Sequence, residues 1–401
     1  MALLPVAEAL THITGKARPL PPETVNLADA LGRVLAASVK AMRDQPPFDA
    51  SAMDGYAVRA IDAANADSVL QVAGVSAAGH GFRRPVLPGR AVRIFTGAPM
   101  PRGAETVVIQ ENTEPAGEGA VRILAPANPG QHVRSRGLDF KRGEVLLPPG
   151  TQLNARDIGL AAAANSATLR VRRRPVVAVF ATGDELVLPG GKAAPDQIVS
   201  SNSHALMSLA RTFGADVINL GLVRDNLEET IRVVMEAGAA DILVTTGGAS
   251  VGDHDFVREA LLQAGVKLRF WKIAMRPGKP FMYGRRGKQH VFGLPGNPVS
   301  ALVCARLFLK PLLYRLQGLP ADEPAIHARL DIAMRANDGR QDYVRARLSI
   351  TADGGRTVTP FMRQDSSMQR TFREADCLII RPPHAPEAIR GTLVPILPLD
   401  F

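Results

Sequence analysis

The sequence predicts a multidomain protein of the α/β plus β class, with a doubly wound α/β domain, β-rich segments on either side of it and a helical part near the N-terminus. Three observations carry this. Between residue 175 and about residue 318, fully apolar runs of strand length alternate with helical stretches, the pattern of a parallel sheet with helices on both faces. From residue 48 to about 131, and again after Pro320, the chain breaks into short β-like runs bounded by Gly, Pro or Asn,. A length of 401 residues suits two to four domains,.

Taken in order, residues 6–13 read as a helix, Pro19, Pro21 and Pro22 bend the chain, and 27–35 predict a second helix,. Strands are expected at 57–58, 69–73, 91–95, 105–109 and 120–124. A helical pattern returns at 154–164, and the basic run Arg172-Arg173-Arg174 reads as a solvated linker. In the α/β stretch VVAVFATG (176–183) is a buried strand and SNSHALMSLARTFG (201–214) a helix. A strand at 217–223, a helix at 227–237, a strand at 241–248 and a helix at 255–264 follow,. The tail predicts strands at 331–334, 343–350, 357–360, 377–381 and 393–397, a small all-β domain. There is no internal repeat and no low-complexity segment.

Composition excludes several classes. Hydrophobic residues make up 46% and charged residues 21%, enough apolar material for several cores. No apolar run approaches the ~18–20 residues of a membrane span, and MALLPVAEAL lacks the basic head of a secretory signal. Two cysteines, Cys304 and Cys377, make neither a disulfide framework nor a zinc site, so a reducing, cytoplasmic setting is expected. Arginine supplies 39 of the 48 basic residues behind a net charge of +10. The plain reading is an arginine-rich solvated surface. With FWY at 5% and no basic stripe interleaved with aromatics, nucleic acid is not an expected partner. An anionic small-molecule substrate is the remaining reading.

In open α/β sheets ligands bind at the carboxyl ends of the strands, and three such ends carry unusual polar groups. They are ATGDEL, with Thr182, Gly183, Asp184 and Glu185; VRDN, with Arg224 and Asp225; and TTGGASVGDHD, with Gly247, Gly248, Ser250, Gly252, Asp253 and Asp255. Any one reads as an ordinary βα turn. Three on one edge read as a site, in which glycine-rich N–H groups cradle an anion. RPGKP adds Arg276 and Lys279, and GLPGNPVS adds Pro295 and Pro298 around Gly296 and Asn297. Carboxylates beside cations and anion-cradling glycines point to a phosphorylated ligand, with a divalent cation bridging acid groups to phosphate oxygens. In the β-rich stretch, Asp54 of SAMDGYAV, Thr96 of FTGAPMP and Asp139 of GLDF are weaker candidates, since Asp before Gly is ordinarily a turn former.

In their order and spacing, SAMDGYAV, FTGAPMP, ATGDEL, TTGGASVGDHDF, RPGKPF and GLPGNPVS closely resemble the molybdopterin molybdenumtransferase (molybdenum insertase) family, which is similar to the C-terminal part of gephyrin and its plant counterpart. The resemblance covers essentially the whole chain. It implies a split helical, linking part at 1–45 and 140–174, a β-rich inserted module at 46–139, a molybdopterin-binding α/β domain at 175–320 and a β-barrel-like domain at 321–401. It also implies an activity, in which molybdate reacts with adenylylated molybdopterin and AMP is released with Mg²⁺ present. Homodimers are implied too, with the site between the α/β domain of one subunit and the β-rich module of the other. An adenylyltransferase and cofactor-acceptor proteins are the implied protein partners.

Position by position, the resemblance assigns catalytic roles to Asp54, Thr96, Asp139, Glu185, Asp225 and Asp255. It assigns binding roles to Lys272, Arg276, Pro295 and Pro298, and links Arg345 and Ser366 to oxyanion binding. Thr182, Gly247, Gly248, Ser250, Gly252 and Lys279 join the binding set from the reading above, and Glu185 and Asp225 are the expected Mg²⁺ ligands. Three positions depart from the family pattern: Arg276 stands where Lys is common, Leu138 where an acidic residue often precedes the Asp, and QDSSM where a Gly-Ser pair is usual. An adenylyltransferase-like enzyme and a non-catalytic scaffold are the competing readings. The first is ordinarily a single small domain, and the second would leave the acidic residues without a task.

Overall fold

The computed structural model describes residues 3–248, 256–352 and 354–401. The chain forms two units, one of Thr24–Val171 and a larger one of Met1–Glu23 with Arg172–Phe401. Helix α1 (Val6–Thr14) opens the larger unit and buries Ala9 and Ile13, four residues apart on one face,.

In the smaller unit the helix expected over 27–35 does not form. Leu27–Asp29 makes a single 3₁₀ turn, Gly32 takes φ +73°, and Leu35 bridges Val171. The apolar spacing that imitated a helix belongs instead to loop residues, Ala30 and Leu35, which share a core with Leu153, Ala161 and Leu169. The expected strands are present. β1 (Gly55–Val58), β2 (Val69–Ser76), β3 (Arg90–Ile94), β4 (Thr106–Ile109), β5 (Thr113–Pro115) and β6 (Ala120–Ile123) form one sheet in the order β4-β1-β3-β2-β6-β5. Its faces bury separate clusters, with Val58, Ala91 and Val108 in one and Ala57, Val92 and Val107 in the other. This is the period-2 alternation of a two-sided sheet. Helix α2 (Ala155–Ala163) starts at Asn154, whose side chain and that of Asp157 form a reciprocal cap,.

The larger unit continues with β7 (Val176–Thr182), α3 (Asn202–Thr212), β8 (Asp216–Val223), α4 (Leu227–Glu236), β9 (Ile242–Thr246), α5 (Phe256–Gln263), β10 (Lys267–Phe270), β11 (Met275–Arg276), β12 (Met282–Arg286), β13 (Gln289–Leu294), α6 (Pro298–Cys304) and α7 (Lys310–Gln317). The sheet order is β8-β7-β9-β13-β12-β10, its first four strands parallel, β12 antiparallel to β13 and β10 antiparallel to β12. Residues of α1, α3, α6 and α7 enter the core on one face and residues of α4 and α5 the core on the other. The chain passes from β7 out to β8 and returns across β7 to β9, so strand order reverses between β7 and β9 and leaves a crevice at their carboxyl ends. The basic run is not a solvated linker. Parallel register sets the N-terminal ends of β7, β8 and β9 side by side, so Arg173 meets Asp241 at 2.7 and 2.9 Å and Arg174 faces Asp216 at 3.6 Å.

After Pro320, β14 (Ile326–Leu330), β15 (Gln341–Ile350), β16 (Arg356–Pro360), the short helix α8 (Gln369–Arg373), β17 (Cys377–Arg381) and β18 (Leu393–Pro398) follow. The strands close in the order β15-β16-β14-β18-β17-β15, a five-stranded barrel. The strand expected at 331–334 is absent, and only Met334 bridges, to Ala388. The strand is the preceding IHARL, whose inward residues are Ile326, Ala328 and Leu330, and the small Ala328 between the two larger ones weakens its apolar signal. Cys304 and Cys377 are buried and unbonded.

Between α6 and α7 the helix widens into a π turn at Ala305–Leu309, the distortion expected where Pro311 lacks an N–H. Arg306 and Lys310, one turn apart and only 2% and 3% exposed, both reach Glu323 and Asp400, at 2.6–3.1 Å. Burial works against both carboxylates, but hydrogen bonds from both cations to Glu323, and one from Lys310 with the charge of Arg306 at Asp400, hold them below their ordinary values,. Breaking a fully buried pair costs about 3–5 kcal/mol. Glu323 is partly exposed, so Glu323→Ala is expected to cost about 2 kcal/mol, read as a lower urea midpoint. An unchanged midpoint would show the network to be energetically idle.

On adjacent strands, the Tyr283 hydroxyl and buried His290 Nδ1 share a hydrogen bond of 2.9 Å. Burial, aided by Arg285, pushes His290 down to about 3. Below the unfolded value of about 6.5 the unfolded chain binds a proton that the folded one refuses. Stability therefore falls as pH drops from about 6.5 toward about 3,. Between pH 7 and 5 the expected loss is about 2 kcal/mol, and His290→Gln, whose amide can donate or accept but does not titrate, should flatten that slope in urea titrations at each pH.

Candidate active site

At the carboxyl ends of β7, β9 and β13 lies a cleft of about 880 Å³. Its floor is fixed by the close approach of β7 and β9. A Cβ on Gly247 would lie 2.2 Å from Thr182 O, and one on Gly248 2.4 Å from a Val257 methyl, with φ of +93° and +59°. Only glycine fits both positions, and the turn that results leaves backbone rather than side chain facing the cleft. Asn202, the first residue of α3, ties three loops together. Its Nδ2 donates to Thr246 Oγ1 at 3.0 Å and to Gly296 O at 2.7 Å, while Thr246 Oγ1 donates to Pro295 O at 3.1 Å. Glu185 and Asp225 line the same cleft from the loops after β7 and β8. Those loops are joined where the Asp225 N–H donates to Asp184 Oδ1 at 3.2 Å.

The opposite wall comes from the barrel. Strand β11 adds in parallel to β15, with Arg276 beside Asp342. The Arg276 guanidinium forks onto the Asp342 carboxylate at 2.9 and 2.6 Å and also faces Asp338 at 3.5 Å. These hydrogen bonds raise Arg276 above its already high value. Lys279, two residues past the turn's first proline, lines the cleft and meets no acid among the described residues. From the segment after β16, Gln364, Asp365, Ser366 and Ser367 face it. Ser366 is docked on α6, accepting from Asn297 Nδ2 at 2.8 Å and, through its carbonyl, from the Val299 N–H at 3.0 Å. Arg345 is 1% exposed behind this wall and donates to Gln364 Oε1 through N–H and Nε.

The cleft thus gathers Thr182, Glu185, Asp225, Gly247, Gly248, Arg276, Lys279, Pro295, Pro298 and Ser366 from the sequence-predicted set. Ser250, Gly252 and Asp255, with Asp253, lie outside the described residues. Lys272 is not a lining residue; its ammonium sits 5.4 Å from the Trp271 ring. Sequence reasoning missed Ser200, Ser201, Asn202, Arg340 and Gln364. The SSN triplet opening a helix was the one readable signal among them, because Ser and Asn favour helix starts.

Asp54, Thr96 and Asp139 belong to the smaller unit. Register pairs Gly55 with Ile94, which sets Asp54 beside Thr96. Asp54 Oδ1 accepts from the Thr96 N–H at 2.7 Å and from its hydroxyl at 2.9 Å. The N–H bond first and the hydroxyl second, helped by Arg93, hold the Asp54 carboxyl below its usual value. Asp139 is exposed on a separate loop, its N–H donating to Gln45 O at 2.9 Å.

Comparison with known proteins matches this arrangement along the chain. Residues 4–165 fit the MoeA N-terminal region (domains I and II), 178–315 a probable molybdopterin binding domain, and 327–399 the MoeA C-terminal region (domain IV). A molybdopterin molybdenumtransferase of Haemophilus influenzae is 35% identical over 95% of both chains, and one of Nostoc sp. is 40% identical over 80% of this chain and 76% of its own. This chain belongs to the molybdopterin molybdenumtransferase family. A crystal structure of a molybdopterin biosynthesis MoeA protein from Pyrococcus horikoshii superposes with a TM-score of 0.86 at 30% identity, covering 100% of both chains. As a member of this family the protein is a transferase of molybdenum cofactor biosynthesis, and molybdopterin is its substrate class. Among the described residues no helix is long and apolar enough to cross a membrane.

Among these molybdenumtransferase residues, the Asp54–Thr96 contact makes a direct prediction. Thr96→Val removes the hydroxyl bond but keeps the N–H bond, so the Asp54 carboxyl should titrate higher than in the wild type yet still below an ordinary Asp. NMR titration of the side chain reads this out, and an unmoved curve would refute the hydroxyl's share.

Proposed function

We propose that the protein inserts molybdate into adenylylated molybdopterin with release of AMP, in a Mg²⁺-dependent reaction, as a cytoplasmic homodimer. The observation that supports this most is the composition of one cleft. A glycine-built phosphate cradle and two carboxylates stand on the α/β side, and cations and hydroxyls stand on the barrel side.

Among the described residues, no three His, Cys, Asp or Glu side chains come together as a metal cage. That fits Mg²⁺, which keeps water and is commonly held by one or two carboxylates plus substrate phosphates. Glu185 and Asp225 would hold it, and its chemistry there is to neutralise phosphoanhydride charge. The Gly247–Gly248 turn and Thr182 orient the phosphates. Water adds to phosphorus, one anhydride P–O bond breaks, and AMP leaves. Molybdate, a dianion with four acceptor oxygens, suits Lys279 and Ser366 on the opposite wall, with Arg276, forked onto Asp342, adding positive charge beside them.

A second copy is part of the reading because Asp54 and Thr96 are exposed on the smaller unit, flanked by exposed Met53 and Phe95, a combination suited to a face covered by another subunit. With purified protein, adenylylated molybdopterin, Mg²⁺ and molybdate, Glu185→Ala and Asp225→Ala should each lower AMP release by about 100-fold. Both should also raise the Mg²⁺ concentration for half-maximal rate. A wild-type protein that binds the adenylate and releases nothing would sink the catalytic reading, and unchanged Mg²⁺ dependence in the variants would sink the ligand assignment.

A further inference from the structure

The smaller unit carries a groove of about 280 Å³ to which the proposed chemistry gives no task. Two segments form it, 36–42 and 164–170, held antiparallel at both ends. The Ala36 N–H donates to Arg170 O at 2.9 Å, and the Met42 N–H donates to Ala164 O at 3.0 Å. Between these bonds, alternate residues face opposite ways. Val39 and Leu169 are 5% and 4% exposed, share the core of Leu153 and Ala161, and floor the groove. Their neighbours Ser38, Lys40, Thr168 and Arg170 rise around it, together with Thr24, Met42 and Ser166.

The groove carries charge of one sign. Lys40 and Arg170 are its charged residues, and no Asp or Glu lines it. Among the described residues neither cation forms an ion pair, and the hydroxyls of Thr24, Ser38, Ser166 and Thr168 have no hydrogen-bond partner. An ammonium brings three donors, a guanidinium five and each hydroxyl one. Such a set is matched by an anion with several acceptor oxygens. The volume lies below the about 300–1,000 Å³ of pockets for larger ligands, too small for a nucleotide. No aromatic ring lines the groove, so a nucleic-acid base has nothing to stack on. We propose that this groove binds a small tetrahedral oxyanion, held by Lys40 and Arg170 with the hydroxyls completing its shell. Inorganic phosphate, sulfate and molybdate share that chemistry, and the site is independent of the proposed function.

The test labels the methionine methyls of the full chain with ¹³C and follows Met42 by NMR, its signal assigned through Met42→Leu. Phosphate, sulfate and molybdate are titrated separately at constant ionic strength, with chloride as the balancing ion. At least one should move the Met42 methyl along a saturating curve. Lys40→Gln and Arg170→Gln should each weaken that binding about tenfold, the worth of one charge-assisted hydrogen bond. Both side chains are exposed, so neither change should lower the melting temperature. Lys279→Gln, in the cleft, should leave the Met42 curve as it was. Saturation by molybdate alone assigns the groove to the oxyanion of the proposed reaction. Saturation by phosphate or sulfate, with or without molybdate, makes it a general oxyanion site. The proposal is overturned if no anion gives a saturating curve, if both variants bind like the wild type, or if Lys279→Gln abolishes the Met42 response. The proposed function stands in each of those cases.

Discussion

The cleft depends on two domains of one unit being held in a fixed relation, and four charged side chains do much of that holding. Arg306 and Lys310 lie inside the helical layer, while Glu323 belongs to the connection into the barrel and Asp400 to the chain end that follows the barrel's last strand. The segment entering the barrel and the tail after its last strand are therefore tied to one point on the α/β domain. The π turn makes this possible by letting a proline enter the helix without ending it, and it keeps the two cations one turn apart on the same side,. A pair of buried cations is tolerable only because each meets both acids. Apolar contacts share the task, since Tyr343, Phe372 and Leu378 enter the same core as α1, α3 and α6.

With the barrel fixed, the chemistry divides between the two walls. The α/β side supplies what any doubly wound sheet supplies at its switch point, a glycine turn and loop carboxylates. Under the proposed function this wall takes the phosphates and leaves the oxyanion to the wall it faces. The barrel side supplies that complement through Ser366 and through β11, the strand that carries Arg276 out of the α/β domain and pairs it with β15. Neither wall is complete without the other.

Much of this was legible in the chain. Runs such as VVAVF and DILVTT are too apolar to be anything but buried strands, and their glycine-rich or acidic followers marked the edge that became the cleft. What was not legible had identifiable causes. The helix expected over 27–35 failed because Gly32 takes a left-handed conformation, and its apolar residues were needed by a loop core. IHARL was overlooked because Ala328 gives little apolar contrast. Ser200 carries no motif, and only tertiary packing brings it to the cleft with its hydroxyl buried and unpartnered. Periodicity reports which face is apolar, and it cannot report which polar atom ends up alone.

The arginine at position 276 illustrates how such context changes a residue's meaning. Read as sequence, Arg276 and Lys279 are two cations on one stiff turn, apparently equivalent. In the structure they are not. The planar fork of Arg276 matches the Asp342 carboxylate with two bonds, a geometry that an ammonium cannot reproduce. Asp338, itself clamped by Arg340 and held at about 2, adds a second negative neighbour. Much of the Arg276 charge is thus spent on joining the turn to the barrel, and its remaining field reaches the cleft only in part. Lys279 meets no described acid and keeps its charge for whatever enters. One cation builds the wall, and the other lines the cleft without a described acid beside it.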